Sequence, residues 1–127
     1  AAPWTGLAPE TVLGHMHLHV RDIPEAQAFY CGVLGFDLMM AWNGDALFVS
    51  AGGYPHHLGL NTWGTLGAPP APPESIGLRA FTVVLPSAAD VAAVVDRARA
   101  AGAPIEAHPA GPLVRDPSHN ALVFTAG

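Results

Sequence analysis

The chain has 127 residues, half of them hydrophobic and 12% charged, with a formal net charge of −5. This composition argues against a disordered chain and suits one globular domain, 1–127, with a modest core. The sequence has no basic stripe, so nucleic acid is not expected as a partner. It has no apolar run close to the roughly 20 residues of a membrane span, so a membrane is not expected either. Residues 1–10 do not resemble a signal peptide. The single cysteine, Cys31, forms no internal disulfide, which predicts a reducing, cytoplasmic location.

An alternating segment near the N-terminus predicts the first strand. Residues 12–20 alternate apolar and polar side chains, as a half-buried strand does. One face is apolar and the other is made of histidines: Met16, Leu18 and Val20 against His15, His17 and His19. Because alternate residues share a face, the three imidazoles are expected side by side on one side of a sheet.

A helix and three more strands are predicted to complete the first half. Asp22 before Pro24 is typical of a helix start, and Gly35 is typical of a helix end. The strands are expected at 36–42, 45–51 and 57–61. Asn43-Gly44, between the first two of these strands, predicts a tight hairpin turn.

The second half repeats this order at a spacing of 65 residues, without the histidines of the first. A proline-rich linker is expected at 64–75, where regular structure is disfavoured. The elements after it are a strand at 80–85, a helix at 88–101 and strands at 104–107, 113–115 and 121–125. The predicted fold class is therefore α+β: two tandem βαβββ modules, about 10–63 and 76–127, form a curved mixed sheet around a cleft, with the helices on the outer face.

The side of the first module away from its helix is the candidate functional surface. Its predicted metal ligands are His15 and His57, because imidazole suits iron, zinc, copper and nickel. The cofactor expected there, if one is bound, is a divalent metal: iron, manganese or zinc. The other predicted cleft residues are His17, His19, Phe48, Ser50, Asn61 and Trp63. Leu47 and Val49 are assigned to the helix side. Trp63 has two interpretations, stacking on a ligand at the cleft mouth or capping the core.

Other polar residues receive structural interpretations. His56 is expected to point away from its neighbour His57, toward the helices or the strand edge. Arg115 and Asp116 are interpreted as an exposed local charge pair, of the kind that contributes only about 0–1 kcal/mol. Glu106 is an alternative donor to a metal, or a solvated residue of an edge strand.

Several stretches resemble the vicinal oxygen chelate superfamily, which includes glyoxalase I, bleomycin-resistance proteins and extradiol dioxygenases. They are 14–22, 28–36 and the turn at 114–120, which is similar to an "RDPxGN" motif. Residues 47–63 resemble, more narrowly, the bacterial catechol-2,3-dioxygenase group. The resemblance implies a homodimer, because this superfamily commonly pairs modules across subunits.

The same resemblance implies a metal held by two histidines and a carboxylate. It places these ligands at His15, Ala80 and Val123, with a further donor in the glyoxalase variant at about His57. Neither Ala80 nor Val123 has a side chain that binds metal, so the predicted metal site is incomplete.

Two functions of different classes stay open at this point. The first is binding of a small apolar or aromatic molecule in the cleft. The second is a metal-dependent extradiol dioxygenase or related lyase, with His15 and His57 on the metal and His17 or His19 as acid or base. The third is a structural or interaction module whose cleft binds nothing.

Overall fold

The computed structural model describes residues 2–12 and 14–127 and contains eight strands and three helical segments within them. The first half holds β1 (Met16–His19), α1 (Ile23–Gln27), a π-helix (Ala28–Val33), β2 (Asp37–Trp42), β3 (Ala46–Ser50) and β4 (Leu58–Asn61). The second half holds β5 (Phe81–Leu85), α2 (Ala88–Ala100), β6 (Ile105–Glu106), β7 (Leu113–Arg115) and β8 (Ala121–Ala126). Residues 62–80, all described, connect the halves through turns and extended segments.

Each half forms its own four-stranded mixed sheet. The strand orders are β1-β4-β3-β2 and β5-β8-β7-β6, and in each sheet only the first pair is parallel. The two halves thus have the same β-α-β-β-β order and the same topology. The predicted α+β fold class is confirmed.

Local sequence signals account for the ends of the helices and for the hairpin. Asp22 caps α1 by accepting a hydrogen bond from the backbone of Glu25, and Ser87 caps α2 in the same way. Between β2 and β3, Asn43 and Gly44 have φ values of 48° and 75°. Two consecutive positive φ angles define the tight turn that Asn-Gly predicts.

The helical segment of the first half differs from the ordinary helix that the sequence predicts. After five residues it widens into the π-helix, and the backbone N–H of Leu34 bonds to the carbonyl of Phe29, five residues back. The adjacent residues Phe29 and Tyr30 are both buried there. The predicted first strand is also shorter than 12–20: β1 begins at Met16, and position 13 lies outside the described residues.

One hydrophobic core spans both halves. It contains Leu47 and Val49 of β3 together with Leu18 of β1, Val94 of α2 and Phe124 of β8. The assignment of Leu47 and Val49 to the helix side is therefore confirmed. The opposite side of the first sheet is left to carry the polar residues of β1, β3 and β4.

A buried hydrogen-bond network joins the two halves at one end. The hydroxyl of Tyr30 donates to Oδ2 of Asp116 at 2.7 Å, and both residues are almost fully buried. Asp116 also accepts from the backbone N–H groups of Ser118 and Asn120, and the side chain of Asn120 donates to the carbonyl of His19. Burial raises the pKa of Asp116, although these hydrogen bonds act in the opposite direction.

The prediction of an exposed Arg115–Asp116 pair is wrong. Asp116 is 1% exposed and hydrogen-bonded to Tyr30, whereas Arg115 forms an ion pair with Glu106 on the neighbouring strand. Sequence adjacency suggested the pair, but successive residues at the end of β7 point to opposite sides. The carboxylate of Glu106 is therefore paired with the guanidinium of Arg115.

No helix among the described residues is both long and apolar enough to cross a membrane.

Candidate functional site

The side of the first sheet opposite the helices carries a group of histidines and aromatic rings. We call this surface the histidine face; its members are His15, His17, His19, Phe48, His56 and Trp63. The centroid of the His17 ring lies 6.3 Å from that of His15, 6.1 Å from Phe48 and 5.8 Å from Trp63. The alternation of β1 and β3 produces this grouping, because His17 and Phe48 both neighbour Gly59 of β4 in the sheet.

His56 belongs to this face, contrary to the expectation from its position beside His57. Its ring centroid lies 4.6 Å from that of His15 and 5.1 Å from that of Phe48. His56 precedes β4 and sits in the turn after β3, where strand alternation does not set side-chain direction. The sequence contains no periodic signal that would have found it.

The His17 ring rests directly on the backbone of Gly59. A Cβ atom at that glycine would lie 2.7 Å from Nδ1 of His17 and 2.9 Å from its Cε1. Contacts this short would force the ring to move, so its position depends on residue 59 being glycine.

Burial lowers the pKa of His17, and the nearby imidazoles His15, His19 and His56 lower it further. His17 is therefore neutral at pH 7. A neutral imidazole has one N–H donor and one nitrogen acceptor, and it can meet either type of hydrogen-bonding group.

A cavity of about 430 Å³ opens on the histidine face. Its lining residues are Met39, Met40, Trp42, Phe48, Pro55, His56 and Trp63. We call it the face cavity. Trp63 is 51% exposed and packs on His17, which favours the interpretation of a residue at the cleft mouth.

Two other predicted cleft residues are buried. Ser50 is fully buried, and within residues 2–12 and 14–127 its Oγ has no hydrogen-bond partner. Asn61 is 3% exposed, and its Oδ1 accepts a hydrogen bond from the backbone N–H of Trp63 at 2.9 Å. Asn61 therefore orients the backbone of Trp63. A further predicted cleft residue, His19, is exposed on the surface of the first sheet.

His57 has neighbours different from those of His15. Its ring stacks on Tyr54 with centroids 4.5 Å apart, and its Nδ1 accepts a hydrogen bond from the backbone N–H of Ala51. Both His15 and His57 line a second, larger cavity between the two halves. The structure thus places these two histidines at a common opening, but in separate packing environments.

The donor set does not fit the metal site that the resemblance implies. Ala80 and Val123 pack together in a small apolar cluster with Leu113 and Ala121, and Val123 is 1% exposed. Across the part of the chain that the structure describes, no three His, Cys, Asp or Glu side chains are grouped so that they could hold a metal ion. The carboxylate of a two-histidine, one-carboxylate site is missing from the expected position.

The repeat also locates the position in the first half that corresponds to Val123. In the parallel pairs of the two sheets, His17 lies beside Gly59 as Thr82 lies beside Val123. The first-half counterpart of Val123 is therefore Gly59, which has no side chain, and not His57.

The fold, the repeated topology and the histidine face define a class of protein. The chain belongs to the glyoxalase/bleomycin resistance protein/dioxygenase superfamily, whose family model matches residues 12–124. The vicinal oxygen chelate resemblance is therefore confirmed.

One curated relative is similar over most of this chain. A "Catechol-2,3-dioxygenase" from Bacillus subtilis (strain 168) is 48% identical over 120 residues, which make up 94% of this chain and 42% of the relative. The chain thus spans less than half the length of that protein.

Solved structures share the fold at lower identity. A lactoylglutathione lyase from Agrobacterium tumefaciens has a TM-score of 0.68 at 22% identity, covering 94% of this chain and 96% of its own. Glyoxalase I from Leishmania major has a TM-score of 0.70 at 18% identity, covering 92% and 87%. These similarities establish the fold.

Proposed function

We propose that this chain binds a compact aromatic molecule with hydrogen-bonding groups in the face cavity. The observation that carries the proposal is the lining of that cavity, which combines the rings of Phe48, His56 and Trp63 with Met39 and Met40. Ligand sites are concave and mostly apolar, with few polar groups, and commonly have volumes of about 300–1,000 Å³.

Each part of the lining has a role in this proposal. Trp63 is exposed and offers a flat surface on which an aromatic ring can stack. The methionines Met39 and Met40 adapt their shape to the ligand. His56 and the neighbouring His17 supply donors and acceptors for phenolic hydroxyl groups, and the lowered pKa of His17 keeps that ring neutral at pH 7.

Replacement of Trp63 tests the proposal. With catechol as the probe in isothermal titration calorimetry, we expect Trp63→Ala to weaken binding by up to about tenfold, the effect of losing one aromatic pair. The matched control is Trp4→Ala, because Trp4 is 81% exposed and does not line the face cavity. Equal affinity in Trp63→Ala and wild type, or no catechol binding by wild type, would contradict the proposal.

A second candidate function is a metal-dependent catechol-type dioxygenase. The 48% identity to a catechol-2,3-dioxygenase favours it. With Ala80 and Val123 in an apolar cluster, the described residues do not complete the implied ligand set, so this function requires donors from elsewhere. Stoichiometric iron, manganese or zinc in protein purified without chelator, lost in His15→Ala, would favour the dioxygenase over the binding protein.

We also propose that the chain forms a homodimer in the cytoplasm. β2 is an edge strand with all six residues exposed, among them Leu38, Met40 and Trp42, and such edges readily pair with another chain. A symmetric partner contributes the same Ala80 and Val123, so dimerisation does not restore the missing ligands. A monomer mass in analytical ultracentrifugation would contradict the proposed dimer.

A further inference from the structure

The two ends of the junction between the halves are built from different residues. The helix caps Asp22 and Ser87 lie 65 positions apart, the same spacing that separates His15 from Ala80. On this correspondence, Phe29 and Tyr30 of the first half match Val94 and Val95 of the second. Two aromatic rings at one end are therefore replaced by two much smaller side chains at the other.

The aromatic end of the junction, here called the closed end, is filled at its centre by buried side chains. The rings of Phe29 and Tyr30 pack edge to face with centroids 5.2 Å apart, and the Tyr30 hydroxyl bonds to Asp116 in the turn between β7 and β8. Asn120 of the same turn bonds across to the carbonyl of His19. Ring volume and hydrogen bonds leave a smaller cavity of about 340 Å³ at this end, and Phe29 and Asp116 contribute to its lining.

The valine end is open. The corresponding turn of the first half is 51–57, and between it and Val94 lies a cavity of about 570 Å³. We call it the junction cavity. Its apolar lining includes Leu34, Phe36, Leu58, Phe81, Val94 and Phe124. Four of these side chains, Leu34, Leu58, Val94 and Phe124, are buried core residues, so the cavity reaches into the core.

Few polar side chains line this cavity. His15 and His57 contribute to its lining. Nδ1 of His57 accepts a hydrogen bond from the backbone of Ala51 at 3.2 Å. In a neutral imidazole the proton then resides on Nε2, which is a donor. His57 therefore favours an acceptor group on a bound molecule.

We propose that the junction cavity is a second ligand site, separate from the face cavity, for a molecule with a hydrocarbon body and one hydrogen-bond-accepting end, such as a carboxylate. The body lies against Leu58, Val94 and Phe124, where burial of its apolar surface favours binding. The accepting end lies at His15 and His57. The aromatic residues that close the other end of the junction are absent here, and the ligand occupies their space.

Decanoic acid is a suitable probe. We expect it to bind wild-type protein in isothermal titration calorimetry and to shift the methyl NMR signals of Leu34, Leu58 and Val94. Val94→Phe introduces the residue found at the equivalent position of the closed end. By filling the cavity it should weaken decanoate binding by about tenfold or more. The control is Ala93→Phe on the exposed side of the same helix.

Further measurements separate this site from the face cavity. Trp63→Ala should leave decanoate affinity unchanged, and Val94→Phe should leave catechol affinity unchanged. Decanol, which lacks the carboxylate, should bind more weakly than decanoate, and His57→Phe should remove that difference. Leu85→Phe, on the cavity wall, is a second filling variant in case Val94→Phe does not fold.

Three outcomes would overturn the proposal. The first is the absence of decanoate binding by folded wild-type protein. The second is equal decanoate affinity in wild type and in a folded cavity-filling variant. The third is a set of shifts confined to Met39 and Met40, which would assign decanoate to the face cavity instead.

Discussion

His17 illustrates how single residues set the properties of the histidine face. Its ring occupies the space above Gly59, where a Cβ atom would lie 2.7 Å from Nδ1. Partial burial and, to a smaller extent, the surrounding imidazoles lower its pKa. The sequence shows three alternating histidines, but the contact with residue 59 makes His17 the one that is packed between Phe48 and Trp63.

The lowered pKa of His17 predicts a dependence of stability on pH. The folded state binds a proton at this site less readily than the unfolded state, in which the pKa is about 6.5. The free energy of unfolding should therefore fall as the pH drops through about 6.5 toward the lower folded-state value. In urea unfolding at pH 5 and pH 8, His17→Gln should lose less stability at pH 5 than wild type.

The exposed control for this experiment is His108→Gln, which removes an imidazole away from the histidine face. Identical pH dependence in wild type and His17→Gln would show that His17 does not couple protonation to folding.

At the scale of elements, the hairpin between β2 and β3 depends on two residues. Asn43 and Gly44 both have positive φ, which places them in a region that other residues enter at a cost. The register then pairs Trp42 with Ala46 and Met40 with Phe48. Because that register puts Met40 and Phe48 side by side, the turn also shapes the face cavity.

Gly44→Ala is expected to lower the free energy of unfolding by about 1 kcal/mol, because alanine is strained in the left-handed region. Urea denaturation measures the change. Gly14→Ala is the matched control, since Gly14 does not have a positive φ and a Cβ there would meet no atom within 4 Å. A smaller loss at Gly44 than at Gly14 would show that the turn does not need glycine.

At the largest scale, a buried contact between distant parts of the chain adds to the shared core that joins the two halves. Tyr30 and Asp116 are 86 positions apart, and their side chains are joined at the closed end of the junction. Burial and the neighbouring Asp116 carboxylate raise the pKa of Tyr30. The phenol therefore stays protonated and donates a hydrogen bond to the carboxylate. The opposite end has no equivalent aromatic pair and contains the junction cavity.

Tyr30→Phe should therefore lower the free energy of unfolding by roughly 1–3 kcal/mol, the cost of leaving a buried carboxylate oxygen with one partner fewer. Chemical denaturation followed by tryptophan fluorescence measures it. Tyr54→Phe is the control, because Tyr54 is 44% exposed and its hydroxyl makes a long bond, 3.3 Å, to the carbonyl of Gly14. Equal stability of the two variants would mean that the Tyr30–Asp116 bond does not stabilise the junction.

Features that depend on neighbours along the chain could be predicted from the amino-acid sequence. Alternation placed His17 and Phe48 opposite the helix side, Asp22 marked a helix start, and Asn43-Gly44 marked a turn. The repeat of these local signals was sufficient for the fold class. Each depends on backbone preferences within a few residues, and such preferences can be recognised in a linear pattern.

Contacts between distant segments became apparent from the three-dimensional fold. It brought His56 onto the histidine face, buried Asp116 under Tyr30 and left Val94 beside the larger of the two cavities at the ends of the junction. These outcomes depend on side-chain volume and hydrogen bonding between segments that are far apart in sequence. Periodicity indicates the side of an element on which a residue lies, but the partner and the space left beside it are determined by packing across the two halves.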